Sequence, residues 1–140
     1  MAKDIYHQQV RAALIKDGWT ITHDPLAVEN KGEKMDYEID LGAEKLIGAE
    51  RGTEKIAVEV KSFLKASLTH EFHGILGQYI VYEEALEYLE SDRILYLAIP
   101  DFAFTRIKDY PFLSYLLVKK NVKYLVFDKN QSIILSWKKP

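Results

Sequence analysis

The stretch Ile56-Ala57-Val58-Glu59-Val60-Lys61-Ser62-Phe63 has the composition of a buried strand, yet it carries two charges. Strand side chains alternate between faces, so Ile56, Val58 and Val60 share one side and Ala57, Glu59, Lys61 and Phe63 the other. The first side is ordinary core. The second sets a carboxylate and an ammonium where apolar residues are expected. On an exposed strand such a pair contributes less than ~1 kcal/mol and needs no special account. In the middle of a sheet both charges lose water, which rarely stabilises a fold. A chemical task explains them better.

A hard divalent ion such as Mg²⁺ binds carboxylates, backbone carbonyls and water. Glu59 and the Val60 carbonyl between it and Lys61 would serve as ligands, with a second carboxylate from an upstream segment; the candidates are Asp40, Glu44 and Glu50. The Lys61 ammonium beside such an ion would orient a water or neutralise charge building on a phosphate. This is a layout for cleaving phosphodiesters.

The surrounding elements follow from periodicity. Residues 4–18 form a helix with Tyr6, Val10, Ala13 and Leu14 on one face, Asp4 capping its start and Gly18 suited to the position after its end. Residues 19–25 alternate as a strand that stops at Pro25, and residues 30–34 are a turn. Residues 45–63 read as two strands folded about Arg51-Gly52-Thr53. A helix from about Ser67 to Ser91 carries Phe72, Ile75, Leu76, Tyr79, Leu86 and Leu89 as its apolar stripe, and Gly74 and Gly77 are expected to let its backbone approach the sheet.

Residues 93–100 are continuously apolar, as in a central strand covered on both sides. Tyr110-Pro111 opens a shorter helix ending near Asn121. Residues 122–128 and 133–138 make a final strand pair. With no repeat, linker or low-complexity segment, residues 1–140 read as one α/β domain. Its mixed sheet is antiparallel at first, then reached by a crossover helix.

No apolar run is long enough to span a membrane, the first ten residues lack the apolar core of a secretory signal, and cysteine is absent. The expectation is a cytoplasmic protein without membrane association, disulfides or Cys-ligated metal. A net charge of −2 counts mildly against nucleic-acid binding, although a bound metal or a local cluster of Lys and Arg supplies the field that the whole chain lacks. Lys45, Arg51, Lys55, Lys61 and Lys65 are candidates for one rim of a groove. His70 and His73, three apart at a helix start, are a possible metal pair but lack a third histidine ligand, and are read as exposed or bonded to backbone. There is no phosphate-binding Gly-rich loop and no Gly-x-Ser-x-Gly.

Asp40, then Glu59-Val60-Lys61 on a core strand, then a helix carrying Gln78, resembles the PD-(D/E)XK nuclease superfamily, with its restriction-endonuclease-like central mixed sheet flanked by helices. Residues 16–26, 39–52, 56–63 and 76–79 together are similar to the XisH-like fdxN-element excision controlling factors of cyanobacteria, over nearly the whole chain. Ile39 stands where the superfamily has Pro, and the gap from Asp40 to Glu59 is longer than usual there.

The resemblance implies a role in site-specific DNA excision, with DNA and a small XisI-type protein as partners and a possible homodimer. Asp40, Glu59, Lys61 and Gln78 would be the catalytic set. Asp40, Glu59 and Val60 would hold Mg²⁺ or Mn²⁺, with Glu50 as the alternative or additional ligand. The expectation is thus a metal-dependent endonuclease. The alternative is a non-catalytic regulatory or assembly factor that keeps the fold.

Overall fold

The computed structural model describes residues 5–28, 45–89 and 91–140. Their element order is α1 (His7–Lys16), β1 (Thr20–Ala27), β2 (Lys45–Arg51), β3 (Glu54–Val60), α2 (Leu68–Tyr88), β4 (Ile94–Pro100), α3 (Asp101–Lys108), α4 (Pro111–Lys119), β5 (Tyr124–Asp128) and β6 (Ile133–Lys138). The six strands form one mixed sheet in the order β1-β2-β3-β4-β5-β6. β1–β2, β2–β3 and β5–β6 are antiparallel, whereas β3–β4 and β4–β5 are parallel.

Alternation along the strands divides the core in two. Ile56 and Val58 of β3, with Tyr96 and Ala98 of β4, pack with Val10 and Leu14 of α1. Ala57 of β3 and Leu95, Leu97 and Ile99 of β4 pack with Phe72, Ile75, Tyr79 and Tyr82 of α2 and with residues of α3 and α4. Residues 95–100 are buried throughout, which is why their sequence is apolar without alternation.

The turn chemistry matches the sequence at Gly18 and Gly52, both with positive φ. Ser67 caps α2 through its hydroxyl, which accepts the His70 N–H at 3.2 Å. Pro111 occupies the first turn of α4. The positions of Asp4 and of the expected turn at 30–34 lie outside the described residues.

Two expectations are corrected, and one unassigned segment proves to be a helix. β1 runs past Pro25 to Ala27. It is an edge strand with shifted register near the proline, where a missing N–H costs little. Residues 101–108, not assigned to an element from sequence, form α3, whose Asp101 carboxylate accepts the Phe102 N–H at 2.9 Å. Gly74 and Gly77 face solvent, and a Cβ at either would meet nothing within 4 Å, so neither serves a close approach to the sheet.

Candidate functional site

Glu59 is the second-to-last residue of β3 and pairs in register with Leu97 of β4, so it stands toward the carboxyl end of the parallel strands. Open α/β sheets generally bind ligands beyond this end. The Glu59 side chain is 2% exposed, and the Lys61 ammonium, 16% exposed, lies 3.8 Å from Glu59 Oε2. The two charges therefore share a face, as alternation requires.

The chain turns sharply after this pair. Phe63 has φ 57° yet is completely buried, in the core beneath α2. Its ring holds a backbone conformation that L residues avoid. Glu71 in the first turn of α2 accepts the Lys65 N–H at 3.0 Å, tying the connection to the helix that covers Glu59's side of the sheet.

Gln78 lies half-buried on that helix. Its neighbour Tyr79 is fully buried; its hydroxyl accepts the Lys123 N–H at 2.9 Å and lies 3.3 Å from Glu83 Oε2. Burial raises the Tyr79 phenol above the usual tyrosine range. The Lys123 N–H opposes that shift, and the carboxylates of Glu83 and Glu59 add to it. Sequence periodicity assigned Tyr79 only to the apolar stripe. Its position opposite the starts of β4 and β5 appears only in three dimensions.

The structure does not bring Glu50 to Glu59. Glu50 pairs in register with Lys55, four residues from Glu59, or about 13 Å along the strand. Its carboxylate lies 3.6 Å from the Arg93 guanidinium. Arg93 also donates to the carbonyls of Ile56 at 2.9 Å and Ala49 at 3.3 Å. It crosses β2 at Gly48, where a Cβ would come within 3.2 Å of the guanidinium. Glu50 therefore serves this structural arginine. Asp40 and Glu44 lie outside the described residues.

Two members of the expected basic rim do not join it, whereas Lys45 begins β2 at the end of the sheet where β3 finishes and Lys61 and Lys65 follow β3. Arg51 is held by Asp17 at 3.0 Å and stacks 4.3 Å above Trp19, while Lys55 pairs with Asp92 at 3.3 Å. Both sit at the hairpin end of β2–β3, the length of β3 away from Lys61. His70 and His73 are exposed on α2. His7 of α1 is committed to Asp24 at 2.6 Å, and Arg11 holds the same carboxylate at 2.9 Å.

Among the described residues, the site thus offers one buried carboxylate, that of Glu59, with an ammonium alongside. This chemistry suits Mg²⁺ or Mn²⁺ and supplies part of a coordination shell. Among the described residues no group of three or more His, Cys, Asp or Glu converges on one point, and no helix is long and apolar enough to cross a membrane.

The arrangement defines an α/β protein with a six-stranded mixed sheet and a Glu-x-Lys pair at the carboxyl end of its central parallel strands. The XisH protein family model matches residues 1–135, and the chain belongs to that family. An XisH family protein from Nostoc punctiforme PCC 73102 is 42% identical, with a TM-score of 0.83 over 97% of this chain and 100% of that one. An fdxN element excision controlling factor protein from Anabaena variabilis is 43% identical, with a TM-score of 0.82 over 96% of this chain and 98% of that one. No curated protein matches the chain significantly.

Proposed function

We propose that the chain is a PD-(D/E)XK-type nuclease domain that acts on DNA during excision of a genetic element. The carrying observation is the buried Glu59 carboxylate with the Lys61 ammonium 3.8 Å away, at the carboxyl end of β3. The naming of the Anabaena relative as an excision controlling factor supports the DNA-element setting. Glu59, the Val60 carbonyl and Asp40 would hold Mg²⁺ or Mn²⁺. When bound, the ion would polarise a phosphoryl oxygen. Lys61 sets a positive charge beside the position of the scissile phosphate and offsets charge that grows during attack. Gln78, on the covering helix, supports the site.

Purified protein is expected to nick or cut DNA with Mg²⁺ or Mn²⁺, and Lys61→Ala to abolish cleavage while leaving the circular-dichroism melt in place. Cleavage that survives in Lys61→Ala would overturn the assignment.

A second reading has its own support. The chain is small and carries a net charge of −2, which leaves little basic surface for a grip on DNA. A regulatory factor of the excision machinery, binding DNA or an XisI-type partner without cutting, would retain the fold. Absence of cleavage on duplex, branched and single-stranded DNA, with and without such a partner, selects it.

A further inference from the structure

The outward side of α4 is apolar where a solvated helix carries charge. Phe112, Tyr115 and Val118 follow at three-residue spacing and are 66%, 55% and 75% exposed. The Phe112 and Tyr115 rings stack at 6.3 Å. Leu113 and Leu117 already fill the core from the other side of the helix, and among the described residues the stripe adds nothing to that core. Its flanks are basic: Arg106 and Lys108 end α3, and Lys119 and Lys120 end α4, against Asp109 alone.

The second half of α2 has the opposite character. Ile80, Val81 and Tyr88 are exposed there together with Glu84 and Glu87. No Lys or Arg occurs anywhere between Leu68 and Leu89. Both helices bury their inner faces in the same core, so the basic stripe of α4 and the acidic stripe of α2 belong to one helical layer.

We propose that this layer is a homodimer interface in which α4 of one protomer lies against α2 of a second copy, and the reverse. A two-fold axis makes each contact occur twice, so two different and complementary stripes on one layer satisfy each other. Pairing α4 with α4, or α2 with α2, would set like charges together, which disfavours those registers. The six apolar side chains leave roughly 600 Å² exposed per protomer, at the upper end of the largest patch on a monomer. Their mutual burial removes about 1,200 Å² in total, within the range of specific interfaces.

Sedimentation equilibrium of the full chain tests this. The wild type is expected to dimerise below about 100 µM, and Phe112→Ala/Tyr115→Ala to be monomeric with an unchanged circular-dichroism spectrum. Glu84→Lys/Glu87→Lys is expected to weaken the dimer by tenfold or more. Adding Lys119→Glu/Lys120→Glu to that variant is expected to restore most of the loss, which only opposed charges in contact produce. A monomeric wild type, or a dimer indifferent to the α4 alanines, overturns the interface. A dimer lost with those alanines but unmoved by either charge reversal overturns the pairing of α4 with α2.

Discussion

Glu59→Gln separates a residue kept for a task from one kept for stability. The substitution preserves shape, deletes one charge and exchanges one acceptor oxygen for an amide donor. At 3.8 Å, with an effective dielectric constant of about 20, the pair with Lys61 is worth about 4 kcal/mol of Coulomb attraction. Placing a carboxylate at 2% exposure costs several kcal/mol in lost hydration, even after relaxation. The two terms nearly cancel, so Glu59→Gln is expected to change the unfolding free energy by no more than about 1 kcal/mol in urea melts without divalent ions. Leaving a fully buried charge without its partner costs about 3–5 kcal/mol, but Lys61, at 16% exposure, reaches water once Glu59 is neutralised. The metal reading adds a second expectation. Mg²⁺ or Mn²⁺ raises the melting temperature of the wild type by binding only the native state, and Glu59→Gln removes that rise. A loss of more than about 3 kcal/mol in the variant, together with a wild-type melt indifferent to both ions, would refute the reasoning and make Glu59 structural.

Tyr79→Phe deletes the hydroxyl that accepts the Lys123 N–H, and is expected to cost about 1–3 kcal/mol in urea melts. It also tests linkage. The folded state holds the phenol proton above the unfolded pKa near 10, so beyond that pH the unfolded chain binds fewer protons and stability falls as pH rises. The alkaline decline is expected to be shallower in Tyr79→Phe, with a remainder from Tyr96 and Tyr124, whose phenols burial also raises; superimposable alkaline limbs would disprove the assignment. Gly74→Ala and Gly77→Ala place a methyl group in open space within α2, and each is expected to stabilise the protein by about 0.5–1 kcal/mol in thermal melts, whereas a loss would reveal a close approach to the sheet after all.

Much of the site was legible because period-two alternation is a strict rule. Glu59 and Lys61 had to share a face with Ala57, and that face had to meet the helix that follows. The apolar run of β4 likewise required cover on both sides. α3 was less legible because only Ala103 and Ile107 are buried across its eight residues, too few to establish a period. Gly74 and Gly77 were misplaced for a different reason. Phe72, Ile75 and Tyr79 mark the inner face of α2, and both glycines fall off that stripe, so spacing outweighs the general association of glycine with close packing. Arg51 and Lys55 dropped out of the lysine rim because residue type says nothing about distance: Lys55 and Lys61 bracket the length of β3 and reach opposite ends of the sheet. Glu50 was nearest to Glu59 in the sequence sense, but its partner was an arginine more than forty residues on, which no local pattern announces.

The two ends of the sheet differ in how they treat charge. Where β3 and β4 begin, Arg93 satisfies two carbonyls and reaches Glu50, while Lys123 meets Glu83 at 3.1 Å beneath the Tyr79 hydroxyl. Charged groups there close gaps between strands and helices, as a fold built for stability requires. Where β3 ends, the same chain buries a carboxylate and, four residues later, forces a fully buried Phe63 into left-handed backbone at a cost of order 1 kcal/mol. The carboxylate at 59 does not help the fold, whereas at 63 the backbone cost is offset by burial of the Phe63 ring in the core. Strain and buried charge concentrated within five residues, at the end of the sheet where α/β proteins hold their ligands, are the physical grounds for the proposal that this protein works through Glu59 and Lys61.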